Sequence, residues 1–309
     1  MTRFVVQRFL SMLLALFFII TITFLLMHAI PGGPFTAEKK LPEAILRNIE
    51  ARYHLDWPLW KQYADYMWKL LHWDLGPSFK YESRTVNDII NSGFPISATL
   101  GALSVALALA LGIPAGIVSA LKQNKWQDAV AMFVAIFGVS VPAFILASLL
   151  MFVFALKLGW LPAARWGTPQ QVIMPVISLS TFSLAFIARL MRSSMLEVIQ
   201  QDYIRTARAK GLPSLLVIYR HAVKNAIIPV VTYLGPLVAG VFTGSFVIEQ
   251  IFAIPGLGRH YVTSIYNRDY TVILGVTVFY SILLVSMNFL VDVAYVFLDP
   301  RISYLEERE

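Results

Sequence analysis

Cysteine is absent from the chain, which excludes disulfides and thiol chemistry. Charge is scarce as well: Asp, Glu, Lys and Arg make up 14% of the 309 residues, against about a quarter in a soluble domain. No G-x-x-x-x-G-K-[ST] segment occurs, so there is no loop of that kind to cradle ATP phosphates. No G-x-S-x-G elbow occurs either. The five histidines, His28, His54, His72, His221 and His260, are scattered, with no H-E-x-x-H and no cysteine partner. Neither a catalytic residue nor a metal site is expected. Low-complexity tracts and internal repeats are missing too, including the inverted halves of many secondary carriers.

What is present is hydrocarbon. Hydrophobic residues make up 58% of the chain and the mean hydropathy is +0.67. The apolar residues are bunched: Phe9 to Ile30, Phe94 to Leu121 and Ala129 to Ala155 contain no Asp, Glu, Lys or Arg. As a helix, each run can cross about 30 Å of hydrocarbon. The sequence therefore predicts an all-α membrane protein with six transmembrane helices, near 9–30, 94–121, 129–156, 172–191, 230–251 and 271–293. Pro175 and Pro236 interrupt the fourth and fifth, which neighbouring helices can accommodate. The first apolar run is about twice a usual signal-peptide core and no A-x-A-like site follows, so it is expected to stay as a helix.

The net charge of +7 fits membrane orientation more simply than nucleic-acid binding. With both termini cytoplasmic, thirteen Lys and Arg fall in the inside segments and four, Lys157, Arg165, Arg259 and Arg268, in the two short outside loops. Residues 31–93 would then lie outside. There Ile45, Ile49 and Tyr53, and again Leu59, Tyr63, Tyr66 and Leu70, recur at helical spacing, with Trp57, Trp60, Trp68 and Trp73 suited to headgroup level. Two roles fit: amphipathic helices that cover the bundle, or a platform for an external partner.

The densest cationic segment is "DYIRTARAKGLP", Asp202 to Pro213. "SSMLEVIQQDYIRTARAKG" reads as a helix leaving the membrane, closed by Gly211, with Pro213 opening the next helix. The small residues Thr206, Ala207 and Ala209 lie between Arg205, Arg208 and Lys210. Such a hairpin is either a solvated positive loop or a docking element that enters a partner's groove.

Within the spans, Gly235, Pro236, Gly240 and Gly244 mark helix packing or the pore, Gly240 and Gly244 forming a G-x-x-x-G. Gly101, Ala102, Ala106, Ala110 and Gly112 read the same way on the second span. Asn288, Asp292, Tyr295 and Asp299 share one helix face. They suit a lock between Asp292 or Asp299 and the basic loop, or else a proton relay. Glu249, at the outer end of the fifth span, is expected to meet Arg259 or the external partner.

"RTARAKG" resembles the cytoplasmic motif of ABC-importer permeases, E-A-A-x-x-x-G, nine residues, then I-x-L-P. Arg205, Thr206, Ala207 and Gly211 take the E, A, A and G positions. Arg205 departs from the acidic residue, His221 and Lys224 stand at the expected Ile and Pro, and Pro229 comes five residues late. "DYIRTARAKG…RHAVKNAIIPV" is nonetheless the form of the peptide and nickel branch. "PGGPF", "YHLDWPLWKQYADYMWKLLHWDLGPSF", "FPISATL", "GIPAGIVSALKQ", "IPGLGRHYVTSIYNRDYTVILG" and "NFLVDVAYVFLDPRI" agree with it across nearly the whole chain. The chain is similar to the oligopeptide/dipeptide ABC transporter permeases, with the oligopeptide B-type subunit as the nearest form.

The resemblance implies a MetI-like permease architecture with an extracytoplasmic segment after the first helix, in a bacterial inner membrane. The organisation expected is 1–30 first helix, 31–93 extracytoplasmic segment, 94–301 permease core with a coupling loop at 194–228, and 302–309 tail. Asp202, Arg205, Thr206, Ala207, Arg208, Lys210 and Gly211 would form the coupling surface. Partners would be a second permease subunit, two cytoplasmic ATPases that bind the ATP and Mg, an extracytoplasmic peptide-binding protein and the bilayer. Cargo would be oligopeptides, with dipeptides, nickel chelates or glutathione as alternatives. A different class, the ion-coupled carrier, needs buried coupling charges near mid-membrane, and the first three spans hold none.

Overall fold

The computed structural model describes residues 2–30, 51, 53–81 and 83–298, of which 2–4, 239, 242–244 and 291–298 are described by their backbone alone. Among these the regular elements are helices: α1 (Thr2–Ala29), α2 (Leu59–Leu71), α3 (Val86–Leu121), α4 (Trp126–Ser140), α5 (Ala143–Lys157), α6 (Pro169–Ile199), α7 (Asp202–Ala209), α8 (Ser214–Ala226), α9 (Ile228–Gly244), α10 (Phe246–Ile251), α11 (Leu257–Asn267) and α12 (Tyr270–Leu298). Within α5 and α8, the stretches Met151–Lys157 and Val217–Val223 widen into π-helix. An isolated antiparallel bridge joins Pro77 to Thr85.

Among the described residues four helices are long and apolar enough to cross a membrane: Val5–Ala29, Val86–Leu121, Pro169–Ile199 and Tyr270–Leu290. Two bent pairs, Trp126–Ser140 with Ala143–Lys157 and Ser214–Ala226 with Ile228–Val238, make six when each counts as one span. Five of the expected positions hold; the fifth span, expected over 230–251, is counted only by joining Ser214–Ala226 to Ile228–Val238, and the shapes differ from those expected. The third span, read as one run over 129–156, is bent by 104°. Val141, at φ −90° and ψ 118°, is extended, because the ring of Pro142 disfavours helical geometry in the residue before it. Pro175 and Pro236 lie inside continuous α6 and α9 instead. The border placed at residue 94 falls inside α3, which begins at Val86.

The chain forms two compact units, residues 1–96 with 255–289, and residues 97–254 with 290–309. In the first, Phe24, Met27, Tyr270, Ile273 and Leu274 form a buried cluster, and the expected face of α2 packs Tyr63 and Tyr66 on it. Asp269 caps α12 and ties the 78–79 turn to it. It is fully buried and accepts from Ser78 Oγ at 2.5 Å, the Phe79 N–H at 3.1 Å and Thr271 Oγ1 at 3.0 Å. Ile45, Ile49 and most of the segment after α1 lie outside the described residues.

In the second unit α6 is the element on which the others pack. A Cβ on Gly112 would meet Leu184 O at 2.9 Å, one on Gly116 would meet Ala188 O at 2.6 Å, and one on Gly138 would meet Ala185 Cβ at 3.1 Å. The close G-x-x-x-G contact is thus Gly112–Gly116 on α3, which lets two backbones approach as small residues do in lipid.

Candidate coupling surface

α6 ends at Ile199, and Gln201 turns extended at φ −69° and ψ 149° before α7 begins. The expected single helix running out through Gln200 is therefore two, with a break at Gln200–Gln201. The C-terminus of α7 closes in a Schellman motif. The Leu212 N–H donates to Ala207 O at 3.4 Å and the Gly211 N–H to Arg208 O at 2.9 Å, while Gly211 takes φ +75°. Pro213, at φ −57° and ψ 138°, starts α8. The helix–glycine–helix hairpin read from the sequence is present with the hinge residue as expected.

Its faces are divided sharply. Ile204 is fully buried and Ala207 is 7% exposed, so Ala207 packs into its own chain and is not on the outer face with Thr206 and Ala209. Asp202, Arg205, Thr206, Arg208, Ala209, Lys210 and Gly211 are exposed. Arg205 lies 3.6 Å from Asp202, a solvated pair one turn apart that adds little stability. Asn225 Nδ2 donates to Tyr203 Oη at 2.9 Å, fastening α7 to α8. Tyr203, Leu215 and Tyr219 leave large apolar surface exposed beside the basic residues.

A buried ion pair that sequence reading missed lies on α6 two turns before this surface. Arg192 donates to both carboxylate oxygens of Asp128, each at 2.7 Å. Ser119 also donates to Asp128, and the Asn124 N–H reaches its other oxygen at 3.0 Å. Asn124 sits at φ +61° to make that turn. Asp128 is 5% exposed. The group thus clamps the end of α3, the start of α4 and the last turns of α6 together. Asp128 belongs to no sequence motif, and Arg192 is one of the thirteen cations assigned to the inside segments. Their spacing of 64 residues gives no local pattern.

The remaining candidates divide. Gly235 is buried and Pro236 exposed. Among the described residues, no heavy atom beyond its chain neighbours and its own helix backbone lies within 4 Å of a Cβ built on Gly240, and at Gly244 the backbone alone is described. Asn288 is exposed; the Asp292 side chain and the whole of Asp299 lie outside the described residues. Glu249 is not placed to meet an external partner. It is fully buried, and Ser97 Oγ and Ser245 Oγ each donate to its Oε1 at 2.7 Å. On α11, burial and then the Arg84 and Arg259 charges lower the pKa of His260, favouring its neutral form.

A helical, multi-span membrane protein with an exposed basic hairpin between two spans is the class these features define. Two family models divide the chain between them: "Binding-protein-dependent transport system inner membrane component" matches residues 112–304, and the N-terminal membrane component of the same systems matches residues 1–101. The chain belongs to this family of inner-membrane transport components. It is 50% identical over 303 residues to the dipeptide transport system permease protein DppB of Bacillus subtilis (strain 168), covering 98% of each chain. It is 46% identical over 306 residues to the oligopeptide transport system permease protein OppB of Salmonella typhimurium, covering 98% of this chain and all of that one. The fold matches a crystal structure of an amino acid ABC transporter with histidines at a TM-score of 0.55 and 17% identity, covering 67% of this chain and 92% of the other.

Proposed function

We propose that this chain forms half of the translocation pathway of an ATP-driven peptide importer and receives its driving motion through residues 202–213. The whole-length likeness to peptide permeases carries the cargo class. The coupling role is supported by the hairpin itself: a rigid Schellman closure presents Arg205, Thr206, Arg208 and Ala209 outward at the end of α6. The chain contains no G-x-x-x-x-G-K-[ST] segment. Work against a gradient then needs a separate nucleotide-hydrolysing subunit, and a basic, partly apolar surface suits a groove on such a partner. The complete assembly would add a second permease, two ATPases with their ATP and Mg, and an external receptor that selects the peptide. Residues 31–93 would stand on the receptor's side and 302–309 on that of the ATPases.

Because the chain lacks cysteine, single cysteines test the docking without background. Arg208→Cys and Ala209→Cys, paired with cysteines along the ATPase groove, should give a disulfide-linked product whose yield changes with bound nucleotide. Recovery of no ATPase from any position in 205–210 would overturn the coupling role while leaving family membership untouched.

A further inference from the structure

Within the second unit, a cleft of about 370 Å³ opens between α4 and the later turns of α6. Met132 of α4 lines it, with Phe186, Arg189, Leu190, Arg192 and Ser193 of α6. Three of these residues are apolar, two are cations and none is acidic. A second cleft, of about 350 Å³, shares Met132 and runs along the α3–α4 turn past Asn124, Lys125, Trp126 and the already paired Asp128.

The polar groups of the first cleft have donors to spare. Arg192 gives Nε and Nη2 to Asp128 at 2.7 Å each, which leaves Nη1 accessible and without an acceptor among the described residues. Arg189, three residues earlier, is exposed and enters no hydrogen bond, ion pair or ring contact with the described residues. Ser193 is exposed as well. Among the described residues its hydroxyl lacks even the bond one turn back that Ser178 makes to Met174 O at 2.8 Å. A guanidinium fixed by its carboxylate, a second one left free and a hydroxyl suit the oxygens of a phosphate.

Depth says which phosphate. The clamp sets Arg192 level with the α3–α4 turn, where Lys122 and Lys125 are exposed. Arg189 then lies about 4.5 Å nearer the middle of the span Pro169–Ile199. A guanidinium at that depth is costly unless an anion comes to it, and basic pockets between helices on the cytoplasmic side attract anionic headgroups. Trp126, at the start of α4, is 72% exposed, as indoles are at headgroup level. We propose that the cleft binds the phosphate of an anionic phospholipid between Arg189, Nη1 of Arg192 and Ser193. Its acyl chains would run toward the bilayer centre over Phe186 and over the exposed Ile136, one turn beyond Met132. The inference is independent of the cargo.

Native mass spectrometry of the full chain, released from nanodiscs holding equal phosphatidylglycerol and phosphatidylethanolamine, tests it. One phosphatidylglycerol should be retained in preference, and Arg189→Gln should weaken its retention about tenfold, the worth of one charge-assisted hydrogen bond. That variant should unfold with the parent in lipid-free detergent, because Arg189 bonds to nothing among the described residues. Lys157→Gln, which removes an equal exposed charge at the far end of α5, should keep the lipid as the parent does. Equal retention of phosphatidylethanolamine, unchanged retention by Arg189→Gln, or an equal loss in Lys157→Gln overturns the proposal. So does displacement by free glycerol phosphate at matching concentration, which would make the ligand a soluble anion. Absence of the lipid from the assembled importer would give the cleft to a second permease subunit and overturn it as well.

Discussion

Gly211 holds φ +75° with open space around the position of its missing Cβ, so conformation and not crowding demands glycine there. A side chain forced into the left-handed region costs about 1–2 kcal/mol, which shifts a two-state loop by a factor of roughly 5–30. Gly211→Val should therefore leave the permease inserted and ATP hydrolysis running while peptide uptake falls by such a factor. Gly211→Asn should lose less, since Asn tolerates that region. Equal, normal uptake by both variants would remove the hinge from the mechanism. The Asp128–Arg192 pair calls for a different argument. Arg192→Ala leaves a carboxylate buried without its cation. The guanidinium side chain keeps 24% exposure, so the loss belongs at the low end of the range for broken buried pairs, about 3 kcal/mol. Thermal unfolding of the purified chain should show Arg192→Ala well below the parent, with the double variant Asp128→Leu/Arg192→Met recovering most of the difference. A double variant no better than the single one would mean that packing, not charge, holds α3, α4 and α6 together.

Among the elements, composition revealed the spans but not their paths. Length and hydropathy mark where lipid is crossed, so the four long helices and the bent third span were legible, whereas the fifth pair, Ser214–Ala226 with Ile228–Val238, starts before the expected 230–251. Bending depends on which local constraint wins. The prolines that looked disruptive, Pro175 and Pro236, sit in helices that absorb them, whereas Pro142 follows Val141 at the 104° break. The hairpin's Gly and Pro were readable because they act through their own backbone. The clamp at Asp128 and the burial of Ala207 and Glu249 were not, because each depends on partners brought together by folding. If Pro142 sets the break, Pro142→Ala should let α4 and α5 straighten. Spin labels at Phe133→Cys and Phe152→Cys, both exposed in the parent, should then move apart. An unchanged distance would assign the bend to packing of α4 and α5 on α6.

For the molecule as a whole, the side on which the hairpin lies decides whether any ATPase can reach it. Charge supplies the expectation: thirteen Lys and Arg on the hairpin's side of the membrane against four in the short loops opposite. A cytoplasmic hairpin puts the α3–α4 turn on the same side and the loop after α5 on the other, because two spans separate the turn from the hairpin and one separates it from the loop. Trp160 is 69% exposed and Lys125 is exposed in the turn, so each offers a reachable position in a cysteine-free background. A membrane-impermeant maleimide added to cells with a permeabilised outer envelope should label Trp160→Cys and spare Lys125→Cys, and inside-out vesicles should reverse the pattern. Labelling of Lys125→Cys from outside would place Arg205, Arg208 and Lys210 away from nucleotide. Family membership would survive that result, but the coupling role of residues 202–213 would not, since ATP-hydrolysing subunits work in the cytoplasm.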